Sequence, residues 1–463
     1  MLSPLIKGDS CILTLKMAAL WKMLNLKYEI KTKIIEIVKF DYQSFKLPFT
    51  IFYLLIFSFY YIRKRELDSV EILSKLYRSG WAGSKSSVIY IIRHLFKKPT
   101  SVFKRVFLEQ LTEKVVPLEH TKHFFTDPSE LFVGVCIVLS PSTSTSKGIL
   151  LVKYSYYFPL MFKLFNMQKI SDNYHIVLEP SWAGTCEPGI LAYTTLDAPV
   201  FVMSYESRDT HFLKGISTNL IDVKLSSNWW VDHRKFNSIS ETIRDIDIIV
   251  ISTWAQFKRH YFIFKALVEL KSKIPDLSVC LVGYPGDLTM QDIKFMAEEM
   301  ELTDIVSFYE WLPPDEVSNL LQRSKVNLLW SRFEGLNRSI IEGMFCNVPC
   351  ILREGFNYGD KYPYINAKTG RFSSESNLAW NLEDMIKNYR EFSPRDYVIN
   401  NHTCIKATQI LTEKINSIEG KLGNDLLCDV AVKINALHGM DYYDNNAHSN
   451  YSSDEKYIMS QLK

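Results

Sequence analysis

The sequence predicts an α/β protein: two doubly wound domains preceded by a helical extension. Three observations carry this. At 463 residues the chain exceeds what one ordinary core organises, so two domains plus extensions is the natural partition. From Leu131 onward, short apolar, β-rich runs alternate with helical or polar segments, the pattern of buried parallel strands joined by crossovers. That series stops and restarts around "SSNWWVDHRKF", residues 226–236.

Residues 1–125 read as the basic helical extension, with apolar and basic stretches and one glycine-rich loop, "RSGWAGSKSS". Over residues 1–130 there are 21 Lys and Arg against 12 Asp and Glu, a net +9, whereas the whole chain is only +3. The run "LPFTIFYLLIFSFYYI", Leu47 to Ile62, is uncharged and bounded by Lys46 and by Arg63, Lys64 and Arg65. As a helix it spans about 24 Å, short of a hydrocarbon core of about 30 Å. Two readings stand ahead of a true span: a helix buried against the protein, or an interfacial helix whose basic flanks meet anionic lipid. The run starts too far into the chain for an ordinary secretory signal.

Residues 126–228 form the first expected α/β domain, with strands in "LFVGVCIVL", "GILLVKYSYYF", "YHIVLEP" and "APVFVMSY". Residues 229–395 form the second. There "DIDIIVIS", "LSVCLVG", "IVSFYEW" and "KVNLLWS" read as strands, and "HYFIFKALVELKSK", "MQDIKFMAEEM" and "PPDEVSNLLQRS" as the helices between them. Residues 396–435 read as helices crossing back, and 436–463 as a polar, disordered tail. The cysteines, at 11, 136, 186, 280, 346, 350, 404 and 428, lack the paired spacing of a zinc site and read as small core residues. No metal site is predicted. A reducing, cytoplasmic setting fits them.

The chemistry concentrates in "SRFEGLNRSIIEGMFCNVPCIL", residues 331–352. A strand ending near Trp330, a turn and a helix from about Arg338 form the edge where α/β sheets bind ligands. Asn337 suits the N-cap, Gly335 permits close backbone approach, and free amides at the helix start attract phosphate. In the helix, Ile340, Ile341, Met344 and Phe345 share a face, with Glu342 off that face and one turn beyond Arg338. Taken alone, Arg338 and Glu342 also read as a surface pair and Glu334 as an exposed turn acid.

The E-x7-E spacing of Glu334 and Glu342, followed by "GMFCNVPCIL", resembles the donor-site motif of retaining glycosyltransferases of family 4, which have the GT-B fold of two Rossmann-like domains. "SSNWWVDHRKF" is similar to that family's interdomain linker at Asn228, Val231, Asp232 and Phe236, and "CLVGYPGD" to its strand and glycine turn at Gly283. Thr369-Gly370 matches a later T-G. The resemblance covers roughly residues 131–415 and is strongest over 226–372.

It implies transfer of a sugar from a nucleotide-diphosphate donor, UDP- or GDP-linked, to an acceptor hydroxyl with retention, and no separate cofactor. Glu334 would face donor hydroxyls, and Glu342 would accept from the ribose hydroxyls, since a carboxylate takes two vicinal protons at once. The main chain from Gly335 through Leu336 to Asn337 would hold sugar and pyrophosphate. Lys258 matches the family's lysine on the diphosphate; the partner arginine position falls on Thr253, with Arg259 as the substitute. On the acceptor side, the family's histidine position falls on Tyr205 and Glu206, with Asp209 and His211 close behind. Trp182 offers a stacking face.

By analogy the acceptor is a surface glycan or lipid-linked glycan in polysaccharide synthesis, with peripheral contact at the inner membrane face and no nucleic acid. The alternatives are a catalytically silent GT-B-like module at a membrane, or another GT-B enzyme such as an epimerase or phosphorylase.

Overall fold

The computed structural model describes residues 29–38, 41–97, 101–181, 184–239, 242–335, 337–355, 362–422, 426–427, 429–437 and 439–463. Leu336, Trp182, Cys11 and Cys428 lie outside the described residues.

The first sheet contains β1 (Cys136–Ser140), β2 (Gly148–Lys153), β3 (Tyr174–Glu179), β4 (Val200–Met203) and β5 (Leu220–Val223), in that spatial order. β2 to β5 are parallel and β1 to β4 are buried along their full length, which is why they read as unbroken apolar runs. β1 corrects the expectation of an all-parallel series, because it pairs antiparallel to β2. The link from Ser140 to Gly148 closes on a Thr143–Ser146 turn and is too short for the dozen or so residues of a parallel crossover.

The second sheet comprises β6 (Ile246–Ile251), β7 (Val279–Gly283), β8 (Val306–Glu310), β9 (Ser324–Leu329), β10 (Cys350–Arg353) and β11 (Gly370–Ser373), all parallel. Its order is β11-β10-β9-β6-β7-β8, so the chain winds outward one way from β6 and the other way from β9. The helices between these strands pack two apolar layers, one on each sheet face, around Leu267 and Leu382 and around Ile340 and Phe345.

Helices from before and after the first sheet in sequence complete the first domain. Helices Glu66–Ser79, Ser84–Phe96 and Val102–Glu113 bury Leu73, Tyr77, Ile92 and Phe107 in its core. Helix Cys404–Leu422 returns from the second domain to bury Ala407, Leu411 and Ile415 there. The 3-10 turn Ser227–Trp230 is the forward crossing, with Trp230 in the first core and Val231 in the second. Among the described residues no helix is long and apolar enough to cross a membrane, and no cluster of His, Cys, Asp or Glu could hold a metal ion. The six described cysteines are buried free thiols.

The expectation of a disordered tail over 436–463 is corrected. β12 (Lys433–Ala436) and β13 (Gly439–Tyr442) form a hairpin, followed by a 3-10 turn and helix Ser452–Met459. Polar composition hid a sparse set of anchors, Met440, Tyr442, Tyr451 and Ile458, all buried in the first core. The Tyr442 hydroxyl donates to the Val138 carbonyl at 2.7 Å, Tyr174 donates to Asp454 at 2.7 Å, and Tyr442 stacks on Tyr451. Tyr442→Ala should therefore lower unfolding free energy by about 3–5 kcal/mol, as large aromatic truncations in cores do, and Tyr442→Phe by about 1 kcal/mol. Denaturant midpoints measure both, and a neutral Tyr442→Ala would mean that the segment is not part of the fold.

Candidate functional site

β6 and β9 are neighbours whose following loops leave the sheet in opposite lateral directions. This is the switch point of a doubly wound sheet, and the crevice beyond the strands' carboxyl ends is where such sheets bind ligands. The β6 loop supplies Lys258 and the β9 loop supplies Glu334. The Lys258 ammonium pairs with the Glu334 carboxylate, and Ser331 donates to the same oxygen at 2.6 Å; both charged side chains are buried. The loops are tied by the Arg332 amide donating to the Phe257 carbonyl at 2.7 Å and by stacking of Phe257 on Phe333 at 4.7 Å.

Helix Arg338–Phe345 starts at the crevice, with Asn337 at the N-cap. The Asn337 side chain accepts from the Ser339 hydroxyl at 2.6 Å and caps no backbone amide, so its own side chain leaves the helix's first amides to other acceptors. Gly343 sets the helix's depth: a Cβ there would come within 2.5 Å of the Asn327 side-chain amide, which donates to the Ser339 carbonyl. Glu342 is half-buried beside Arg338. Burial raises its carboxyl above the ordinary carboxylate value, and Arg338 only partly opposes this.

On the second domain's side of the crevice is a cavity of about 550 Å³, lined by Thr253, Ala255, Phe257, Tyr284, Gly286 and Glu334. It is large enough for a nucleoside. Gly335 lines both this cavity and a smaller one between the domains, whose other walls include Glu179, Thr185, Tyr205, Glu206, Asp209 and Ser226. Glu334 and Gly335 thus line the crevice, Lys258 joins them through its pair with Glu334, and Glu206 and Asp209 lie across the cleft; Asn337, Arg338 and Glu342 lie on the adjoining helix and line neither cavity.

Three expected residues sit elsewhere. Arg259 adopts φ +61° and turns from the crevice: its guanidinium pairs with Glu36 and Glu375 and lies 3.9 Å over the Phe262 ring. Burial, with Arg353 beside it, pushes it down to about 10. Both ends of the fork are engaged, so the substitution for the missing arginine is not made here. His211 is exposed on helix Ser207–Ile216 and lines neither cavity, because helical phase places it opposite Asp209 and Phe212. Gly283 also lines neither cavity. Its missing Cβ would come within 2.3 Å of the Ser252 carbonyl, so it lets the β6 loop pack down, and Gly286 reaches the cavity instead.

Sequence reading missed a buried ionic cluster on the cleft floor. Register places Lys153 at the end of β2 beside Glu179 at the end of β3. Lys433 reaches Glu179 at 2.7 Å and Lys153 reaches it at 3.6 Å. Burial works against the Glu179 charge, but Lys433 and Lys153 outweigh it and hold the carboxyl below its ordinary value. Burial pushes Lys433 down to about 7. The available signal was a charge ending each of two apolar runs, "ILLVK" and "IVLE".

With this geometry in place, comparison with known proteins bears on the second domain. Residues 233–402 match the family of the glycosyl transferases group 1. The fold is of the GT-B class. No curated protein matches the chain in sequence. Among solved structures, a TarM variant from S. aureus in complex with UDP is 15% identical with a TM-score of 0.46, covering 57% of this chain and 55% of its own. Anabaena HepE in complex with UDP and glucose is 12% identical with a TM-score of 0.45, over 58% of this chain and 78% of its own. The pneumococcal O-GlcNAc transferase GtfA in complex with UDP and GlcNAc is 14% identical with a TM-score of 0.42, over 56% and 55%. The chain thus spans little more than half the length of TarM and GtfA.

The raised carboxyl of Glu342 makes a stability prediction. A carboxyl whose folded value lies above its unfolded one favours folding while protonated and loses that contribution as pH rises through the folded value. Glu342→Gln should then raise the melting temperature at pH 7, with the gain fading toward pH 4. Equal melting temperatures for the two proteins at both pH values would show that the carboxylate carries no burial penalty.

Proposed function

We propose that this protein transfers a sugar from a nucleotide-diphosphate sugar, UDP- or GDP-linked, to a glycan or lipid-linked acceptor hydroxyl with retention of configuration. The observation that carries the reading is the placement of Glu334, Gly335 and the start of helix Arg338–Phe345 at the β6/β9 switch point, inside the segment that matches the glycosyl transferases group 1.

The donor's nucleoside fits the cavity beside Tyr284 and Gly286, with ribose hydroxyls donating to Glu342. Its diphosphate meets the first amides of helix Arg338–Phe345 and the Lys258 ammonium. As the glycosidic bond breaks, negative charge grows on the departing phosphate oxygens, and amides and ammonium already in place stabilise it without reorganising. Glu334, fixed by Lys258 and Ser331, faces the sugar hydroxyls. The acceptor hydroxyl approaches along the first domain's wall at the smaller cavity of about 50 Å³, where Glu206 and Asp209, both paired with Arg208, are carboxylates placed to orient or deprotonate it. Engagement of Arg259 by Glu36 and Glu375 favours a second reading, a catalytically silent donor-binding module.

Calorimetric titration of UDP, GDP and ADP, and then of their sugars, into wild type and Glu342→Ala tests this. One nucleotide should bind, and the variant should bind it about 10- to 100-fold more weakly, the loss of hydrogen bonds to a charged acceptor. Binding without donor turnover in the presence of glycan acceptors would select the silent module. No nucleotide binding by wild type would sink both.

A further inference from the structure

Helix Leu47–Ile62 packs on its neighbours through a narrow strip only. Thr50 and Phe57 are buried, with Thr50 donating to the Ala82 carbonyl at 2.9 Å and Tyr53 edge-on to Trp81. The opposite face carries Leu47, Ile51, Phe52, Leu55, Phe59 and Ile62, spaced at helical intervals and left in solvent by every described residue; Leu55 is 64% exposed and Ile62 78%. The polar side chain on that face, Ser58, donates to the Leu54 carbonyl and is satisfied within the helix. The preceding helical residues 29–38 also expose Ile30, Ile34 and Val38, while Glu29 and Glu36 on that helix pair with Lys265 and Arg259 of the second domain. Lys46 holds the two helices together by donating to the Ile37 and Val38 carbonyls.

Soluble surfaces rarely expose so many large apolar side chains contiguously. At its C-terminal end the helix runs directly into exposed Arg63, Lys64 and Arg65, of which Arg63 lies 4.4 Å over the Phe59 ring and Arg65 also pairs with Asp68, and residues 1–130 carry a net +9. We propose that this face docks on an anionic lipid bilayer, lying in the interface with its apolar side chains below the headgroups and the Arg63–Arg65 run against lipid phosphates. Charge decides among occupants. A second copy would bring the same basic run against this one, whereas an anionic membrane satisfies both apolar face and cations. The helix starts six residues after Asp41, which pairs with Arg332 beside Glu334, so docking would set the cleft close to the bilayer. The proposal does not depend on sugar transfer.

The full chain would be floated with phosphatidylcholine vesicles and with vesicles of equal parts phosphatidylcholine and phosphatidylglycerol. Wild type should partition onto the anionic vesicles, and Leu55→Asp with Phe59→Asp should reduce that partitioning by tenfold or more. Alanine at positions 63–65 should cost a further tenfold or so on anionic vesicles only. Leu55 and Phe59 are exposed, so their variant should keep the wild-type melting temperature, and alanine at 63–65, which removes the surface pair of Arg65 with Asp68, should lower it only slightly. The idea is overturned by wild type failing to float with anionic vesicles, whether because residues 1–28 cover the face or because sedimentation shows a dimer that Leu55→Asp dissolves. Flotation indifferent to Leu55→Asp with Phe59→Asp would overturn it equally.

Discussion

The site depends on one topological constraint, the reversal of strand order between β6 and β9. Everywhere else in the second sheet, neighbouring loops lean the same way and close over one another. At the reversal they part, and the gap is bridged by one backbone bond, from the Arg332 amide to the Phe257 carbonyl, and by side chains. Among these, Lys258 and Glu334 bring one charge from each loop, both buried. Removing either partner would strip the other buried side chain of its opposite charge, which destabilises the crevice. The pair is therefore a strut for the crevice. Trapping polar groups where the fold cannot satisfy them with backbone is how an α/β sheet acquires a ligand site.

The first domain is built to hold its own wall of the cleft still. Its parallel strands end in Lys153 and Glu179, and Lys433 arrives from the far end of the sequence to pair with Glu179 while lying 4.4 Å over the Trp230 ring. Trp230 sits in the crossing between domains. The C-terminal segment therefore locks the cleft floor to the hinge, and so its polar composition misleads. A segment that wraps an existing core needs few apolar anchors of its own, here Met440, Tyr442, Tyr451 and Ile458.

Legibility in the sequence followed burial. Strands buried on both faces, β6, β7 and β9, announce themselves as apolar runs, and the helices between them by their spacing. β5 and β11, which sequence reading did not single out, are both sheet edges with two half-exposed residues in the middle of four, too little periodic signal to separate from loop. At the site, residues fixed by the strand-turn-helix join, Glu334 to Glu342, were readable because their positions follow from that local geometry. Arg259 and His211 were not, because their orientation is set by partners or helix phase: Arg259 turns toward Glu36 some 220 residues earlier in the chain, a contact no local pattern encodes.

That last contact has a consequence for charge. Around the crevice, Arg332 is matched by Asp41, Arg259 by Glu36 and Glu375, and Lys258 by Glu334. The diphosphate of the proposed donor would meet side-chain cations already paired, which leaves as local terms the first amides of helix Arg338–Phe345 and the exposed guanidinium of Arg338, whose charge is felt by Lys153 and Tyr154 across the cleft as well as by Glu342. Thr253, where the sequence resemblance implied an arginine, stands on the cavity wall. Under the proposed function, recognition of the donor's phosphates would rest on backbone amides more than on side-chain forks. Since Glu36 and Asp41 belong to the same N-terminal segment that leads into the apolar helix, the pairing that neutralises the crevice also fixes where that helix lies relative to it.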